Sequence, residues 1–246
     1  MINLPHPTLF LADCHIPLIN QPGQAHWKPR VERFLREEAP QFKALIIVGD
    51  LFDFWFEWRH SVPSAAFPIL AALYELRLHG VEVVYLGGNH DGHIGRFLRA
   101  EVGLTIFREP FEAVIAGKHF YIIHGDGLAP ADHGYRLLRR IVRWKPTESL
   151  YRLVHPDLGI WLAYKLSATS REFFSHRIIH SAEPYRAFAM KKLDAGYNFV
   201  VMGHRHESEF VPHPNGGFLA IGDWIRTGSY GVFDGEKIKL VDSEKV

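Results

Sequence analysis

The sequence predicts an α/β layered fold that carries a helical insertion, and three observations predict it. Short apolar runs rich in β-branched residues alternate with helix-like stretches through the first half of the chain. Two turn dipeptides, Asn215-Gly216 and Asp234-Gly235, punctuate short strand-like pieces near the C-terminus and mark hairpins, hence some antiparallel pairing. Between the first half and these C-terminal pieces, the segment 127–195 abandons this rhythm and reads as helical. With 246 residues, 47% of them hydrophobic and 22% charged, the chain has enough apolar side chains to offset its ordering entropy, which excludes disorder. The expected organisation is one domain over 1–246, including the insertion at about 127–195.

Residues 8–12, 45–48, 81–86 and 120–123 read as buried strands, each bounded by Gly, Asp, Asn or His. Residues 28–38 and 64–79 carry helical spacing, the second closed by Gly80 as a C-terminal cap. A fifth strand at 199–202 follows the insertion. Cys14 is the single cysteine, so no internal disulfide exists and nothing demands an oxidising compartment. No basic leader followed by an apolar run opens the sequence, and no apolar stretch reaches about 18 residues. A soluble, cytoplasmic protein is expected.

The net charge of +1 divides unevenly. Residues 127–192 hold 12 Lys+Arg against 5 Asp+Glu, so an acidic body carries a basic segment. Arg136, Arg139, Arg140 and Arg143 fall at i, i+3, i+4 and i+7, one helix face, with Leu138, Ile141 and Val142 on another. Residues 158–166 are apolar nearly all round, so they must bury against protein, lipid or a lipidic ligand. Pro146, Pro156 and Pro184 interrupt the helical pattern. The segment reads as a helical cap over the core, its arginines either solvated or facing an anion.

The ends of the strands carry the chemistry. They read Asp13-Cys14-His15, Gly49-Asp50-Leu51-Phe52-Asp53, Gly88-Asn89-His90-Asp91, His124-Gly125-Asp126 and Gly203-His204-Arg205-His206. In α/β sheets ligands bind beyond the carboxyl ends of the strands, where these five clusters would meet. Asp13 and His15 would face one way in extended chain, as would His204 and His206, leaving Cys14 for packing. Each cluster alone is as well explained by a helix cap or a structural histidine. Five in order would place carboxylates and imidazoles together at a cost that a bound cation removes. Carboxylates, one amide and imidazoles without thiolate favour Mn²⁺, Fe²⁺ or Zn²⁺ over Ca²⁺. The number of donors suits two metals sharing a carboxylate.

The series D-x-H, G-D-x-x-D, G-N-H-D, H and G-H-x-H resembles the calcineurin-like metallophosphoesterase superfamily, across the span from Leu9 to His206. That resemblance implies a layered β-sandwich flanked by helices, with the insertion as a helical lid. It implies one metal on Asp13, His15, Asp50 and His206, and a second on Asp50, Asn89, His124 and His204. It implies hydrolysis of phosphoesters or phosphoanhydrides by metal-activated water, with His90 as transition-state stabiliser or leaving-group proton donor, and the Asp53 carboxylate orienting it.

Gly49-Asp50-Leu51-Phe52-Asp53-Phe54-Trp55, then His124-Gly125-Asp126 followed by Asp132 and Tyr135, then the helical insertion, are similar to the UDP-2,3-diacylglucosamine hydrolase branch. This implies Mn²⁺-dependent cleavage of UDP-2,3-diacylglucosamine to UMP and 2,3-diacylglucosamine 1-phosphate in lipid A biosynthesis, the insertion accommodating acyl chains. Asp132 and Tyr135 would contact the head group, with Lys165 and Arg171 as further candidates, and Phe54, Trp55 and Phe56 would be groove wall or core. A basic, oily insertion also suits peripheral contact with an anionic membrane, on the cytoplasmic face of the inner membrane. Two positions depart from the branch: His90 stands where it carries Arg, and Arg205 where it usually carries Thr. The alternatives are a related enzyme for another phosphomonoester, phosphodiester or nucleoside-diphosphate substrate, and a non-catalytic scaffold. The oily lid disfavours nucleic acid as partner.

Overall fold

The computed structural model describes residues 1–19, 26–129, 140–141, 144–175 and 181–243, without the side chains of 166–175. In chain order the elements are β1 (Ile2–Leu4), β2 (Thr8–Leu11), α1 (Lys28–Glu37), β3 (Ala44–Val48), β4 (Trp55–Phe56), α2 (Phe67–Leu78), β5 (Glu82–Leu86), β6 (Asp91–His93) and α3 (Phe97–Ala100). There follow β7 (Thr105–Phe107), β8 (Phe111–Ile115), β9 (Lys118–Ile123), α4 (Lys145–Tyr151), α5 (Pro156–Ser175) and α6 (Glu183–Asp194). The chain closes with β10 (Phe199–Met202), β11 (Ser208–His213), β12 (Gly216–Ile221), β13 (Ser229–Phe233) and β14 (Ile238–Asp242).

Two six-stranded sheets form, in the orders β1-β8-β9-β10-β12-β11 and β14-β13-β2-β3-β5-β7, with a small β4-β6 pair beside them. The apolar runs are continuous rather than alternating because both faces of the central strands are buried. On β2 and β3, Phe10, Ile46 and Val48 turn inward to meet Phe120, Val201 and Leu219 of the opposite sheet. Leu9, Leu11, Leu45 and Ile47 turn outward under α1 and α2. On the far sheet, Val200 and Met202 pack under Tyr185, Ala189 and Leu193 of α6. The result is helix, sheet, sheet, helix, each layer joined by side chains of period two. Each fully buried Leu, Ile or Phe in these layers contributes about 1.5–3 kcal/mol.

The five expected strands are present within two residues of their expected ends. Asn215-Gly216 turns β11 into β12 and Asp234-Gly235 turns β13 into β14, both antiparallel. The strands that carry the clusters divide between the two sheets, β2, β3 and β5 in one and β9 and β10 in the other. The helical pattern does break just before Pro146, Pro156 and Pro184, and each stands in the first turn of the helix that follows, where the missing N–H costs nothing. In the apolar run 158–166, Leu158, Trp161 and Leu162 are 55%, 50% and 39% exposed, so the rest of the described protein does not cover them. No helix among the described residues is long and apolar enough to cross a membrane.

Candidate metal centre

The loops after β2 and β3 are laced together before any side chain is considered. Asp13 N–H donates to Gly49 O at 3.2 Å, His15 N–H to Asp50 O at 3.0 Å and Ile16 N–H to Leu51 O at 2.9 Å. Within the far sheet, Gly203 N–H donates to His124 O at 3.1 Å and laces the loops after β9 and β10. His204 N–H donates to Asp13 Oδ2 at 2.7 Å, and His90 N–H to Asp50 Oδ1 at 2.9 Å. Two carboxylates of one sheet are thereby anchored by main-chain groups of the loops around them.

Asp13 and His15 do share a side, but not through extended chain. Asp13, His15, Asp50, His204 and His206 have φ of 49°, 43°, 53°, 70° and 59°, five of the six non-glycine residues with positive φ among those described. Left-handed backbone at such residues costs about 1–3 kcal/mol each and persists only where the surroundings enforce it. The loops are therefore built to aim these side chains. Gly88 lets them close up: a Cβ there would sit 2.2 Å from Asp50 Oδ1.

The imidazoles and carboxylates converge. His15 Nε2 and His206 Nε2 face each other at 3.2 Å, and they lie 3.7 and 3.8 Å from Asp13 Oδ1. His124 Nε2 is 3.2 Å from Asp50 Oδ2 and 3.0 Å from Asn89 Oδ1, while His204 Nδ1 is 2.9 Å from that same amide oxygen. Asp50 Oδ2 also lies 4.0 Å from His15 Nε2, so it touches both groups. His124 Nδ1–H donates to Val48 O at 2.8 Å, which aims Nε2 at Asp50 and Asn89. Asp13, His15, Asp50 and His124 are buried; Asn89, His90, His204 and His206 are partly exposed at the mouth.

These residues fit a divalent cation on two grounds. Asp13 Oδ1 is buried without a hydrogen-bond donor, yet two imidazole nitrogens converge on it. Charge points the same way. Burial alone would raise the Asp50 carboxyl, but His124 and His90 hold it well below the usual range. Burial would lower His124, but the Asp50 charge and hydrogen bond push it up to about 10. Burial and the His124 charge take His204 down to about 4. A divalent cation at these converging donors would replace the positive charge that the pocket draws to the space between His124 and Asp50.

Asp53 differs from expectation. His90 Nδ1–H donates to the Asp53 main-chain carbonyl at 2.7 Å, whereas the Asp53 carboxylate lies 3.7 Å from His15 Nδ1. The loop conformation orients His90, and burial lowers its pKa so that it is neutral near pH 7. Trp55 is core, stacked on Phe52, while Phe54 and Phe56 meet Tyr151 of α4 at ring distances of 6.1 and 4.7 Å. Lys165 is exposed on α5, the Arg171 side chain lies outside the described residues, and Asp132 and Tyr135 lie outside them altogether.

Three groups outside the expected ligand set adjoin the centre. Asp223, fully buried after β12, places Oδ2 3.2 Å from His206 Nδ1. It follows a strand, Ile221-Gly222-Asp223, as every other cluster does, and that was the available signal. Arg205, between the two histidines, pairs with Glu209 at 2.9 Å and Glu207, and lies over the Tyr185 ring of α6. His93, three residues past His90, contacts Arg108 and Glu148 through Nδ1 at 3.0 and 3.1 Å and Arg152 through Nε2. Glu148 is on α4 and Arg152 caps it, so this cluster ties that helix of the insertion to β6. Trp58 Nε1–H to Val154 O at 2.9 Å adds a second tie.

Known proteins are similar to this chain over most of its length. The calcineurin-like phosphoesterase family model matches residues 6–208. A Porphyromonas gingivalis protein named UDP-2,3-diacylglucosamine hydrolase is similar at 28% identity, over 96% of this chain and 97% of its own. One of the same name from Pectobacterium carotovorum is 35% identical over 67% of each chain. A solved archaeal phosphodiesterase is 14% identical with a TM-score of 0.48, over 96% of this chain and 99% of its own. From the family match over most of its length, and from the hydrolases aligned with it, the chain belongs to the calcineurin-like phosphoesterase family and is a metal-dependent phosphoester or pyrophosphate hydrolase.

Proposed function

We propose that the protein hydrolyses the pyrophosphate of UDP-2,3-diacylglucosamine to UMP and 2,3-diacylglucosamine 1-phosphate in lipid A biosynthesis, using two metal ions, most readily Mn²⁺. The observation that carries this reading is the match to a hydrolase of that name over 96% of the chain, insertion included. Asp13, His15, Asp50 and His206 would hold one ion and Asp50, Asn89, His124 and His204 the other. Bound there, the pair would supply Lewis acidity, a nucleophile at neutral pH and charge neutralisation at the phosphoryl oxygens.

The chain's own groups do the rest. Asp50, anchored by His90 N–H, is held ionised and stays a ligand rather than a proton carrier. His90, its Nδ1–H fixed on the Asp53 carbonyl, keeps Nε2 free to take up a proton and, once protonated, to donate to a phosphoryl oxygen. Asp132, Tyr135, Lys165 and Arg171 are the proposed head-group contacts. The exposed Leu158, Trp161 and Leu162 on α5, with Leu150 and Leu153 at 68% and 82% exposure, form an apolar surface suited to acyl chains and to the membrane that presents them. That surface and the basic segment support the proposed peripheral placement on anionic lipid, on the cytoplasmic face of the membrane.

A second reading keeps the centre and changes the substrate, because His90 replaces the arginine of the branch and brings one fewer fixed charge to a diphosphate. The test is UMP release from UDP-2,3-diacylglucosamine in mild detergent with Mn²⁺. Chelator-sensitive release supports the first reading. Hydrolysis of a simple aryl phosphate without UMP formation would select the second.

A further inference from the structure

We propose that Asp223 is a positioning residue for the metal centre, fixing His206 as the Nδ1–H tautomer so that Nε2 points its lone pair at the ion shared with Asp13 and His15. The inference rests on the two-metal reading above and adds a group outside its ligand set.

The geometry is specific. Asp223 follows β12, which pairs in parallel with β10, the strand that leads to His204 and His206. Its side chain is fully buried. Oδ1 accepts Arg226 N–H at 2.8 Å, and its main-chain carbonyl accepts Gly228 N–H at 3.0 Å and the Thr227 hydroxyl at 3.0 Å. Those contacts shape the turn and need only oxygen acceptors. Oδ2 has no regular hydrogen-bond donor; it faces His206 Nδ1 at 3.2 Å and Arg226 Nε at 3.4 Å. The turn thus uses one oxygen and directs the other to the imidazole.

That imidazole has two faces with different company. Nδ1 meets the Asp223 carboxylate; Nε2 meets His15 Nε2 at 3.2 Å and Asp13 Oδ1 at 3.8 Å. A proton on Nε2 would point into the ligand cluster and block it, whereas a proton on Nδ1 points at a carboxylate oxygen. His124 solves the same problem with a neutral carbonyl, Val48 O. His206 instead has a carboxylate behind it, Asp223 Oδ2 at 3.2 Å from Nδ1. A carboxylate behind a ligating imidazole orients the ring, fixes its tautomer and raises its donor strength, and removing such a partner typically costs 10–100-fold in metal affinity. His206 sits in left-handed backbone at φ 59° and is partly exposed, so its ring needs an external orienter more than buried His124 does.

The test has two parts. In the metal-free protein, long-range ¹H–¹⁵N correlation at neutral pH should show His206 protonated on Nδ1; an Nε2–H tautomer overturns the proposal. Mn²⁺ titration monitored by equilibrium dialysis should then show two sites in the unaltered protein. In Asp223→Asn, which keeps an oxygen for Arg226 N–H, one site should weaken by about 10–100-fold and the other keep its affinity. Two sites of unaltered affinity in Asp223→Asn would overturn the positioning role and leave the two-metal reading standing. Failure of the unaltered protein to bind two ions would overturn both. If Asp223→Asn does not fold, the tautomer of the unaltered protein still decides the matter.

Discussion

Replacing Gly88 by alanine tests whether close backbone approach sets the metal centre. Gly88 has an ordinary φ, so an alanine strains nothing by conformation alone. Its Cβ, however, would stand 2.2 Å from Asp50 Oδ1, 2.8 Å from Asp50 Cγ and 2.8 Å from Asp50 N. Ordinary contact requires about 3.5 Å, so the Asp50 carboxylate or its loop must shift by more than about 1 Å. Asp50 cannot yield cheaply, because its carboxylate is tied to His90 N–H and faces His124 at 3.2 Å. A displacement of about 1 Å at a catalytic group costs about 100-fold in rate. Overpacking adds a loss of about 1–3 kcal/mol in stability. In a chain of this size that is a fall in Tm of about 2–12 °C. Gly92→Ala is the control, since a Cβ there meets its first neighbour, Phe54 Cε2, at 3.4 Å, an ordinary contact. The assays are kcat/KM for UMP release, bound Mn²⁺ by elemental analysis, and Tm. If Gly88→Ala keeps its metal content and its kcat/KM to within about threefold, the reasoning from close approach is wrong.

Three further outcomes are expected. Asp53→Ala keeps the main-chain oxygen that holds His90, so it should lower kcat by less than His90→Ala does; equal losses would show that the carboxylate acts on the reaction directly. Removing metal with a chelator should abolish turnover and lower Tm, and each site refilled at about 100 times its Kd should return about 2.7 kcal/mol, read as a concentration-dependent Tm. His93 has its pKa lowered below 6.5 by burial and by Arg152 and Arg108, against the pull of Glu148. The folded protein therefore binds this proton less readily than the unfolded chain, so the contribution is complete above pH 6.5 and declines as pH falls below it. His93→Gln should flatten the dependence of Tm on pH in that acidic range; an unchanged slope would remove His93 as its source.

Local pattern made the strands and their terminal clusters legible. Residues 45–48 are an apolar run because both faces of β3 are covered, and a polar residue directly after such a run can only be at the sheet's end. What pattern could not convey is non-local. Nothing in the runs themselves tells that β3 and β10 lie in different sheets, since each reads as equally buried. The left-handed backbone at Asp13 and His15 is imposed by the lacing to Gly49 and Asp50, residues more than 30 positions away. A side chain was the natural orienter to expect for His90, because main-chain carbonyls are present everywhere and carry no residue signature. Asp223 stayed hidden for a related reason: one aspartate after a strand is ordinary, and its meaning depends on His206 lying beside it.

The division of the ligands between the two sheets bears on when the centre can exist. His15 and His206 meet across 191 positions of sequence, so an ion between them would act as a staple closing nearly the whole chain. The strands of the first sheet alone present Asp13, His15 and Asp50 but lack His124, His204 and His206. A chain interrupted before β10 would therefore have no completed centre. Metal capture would belong to the last stage of assembly, as a lock on two sheets already docked, and loss of the ion would be felt first at the seam between them.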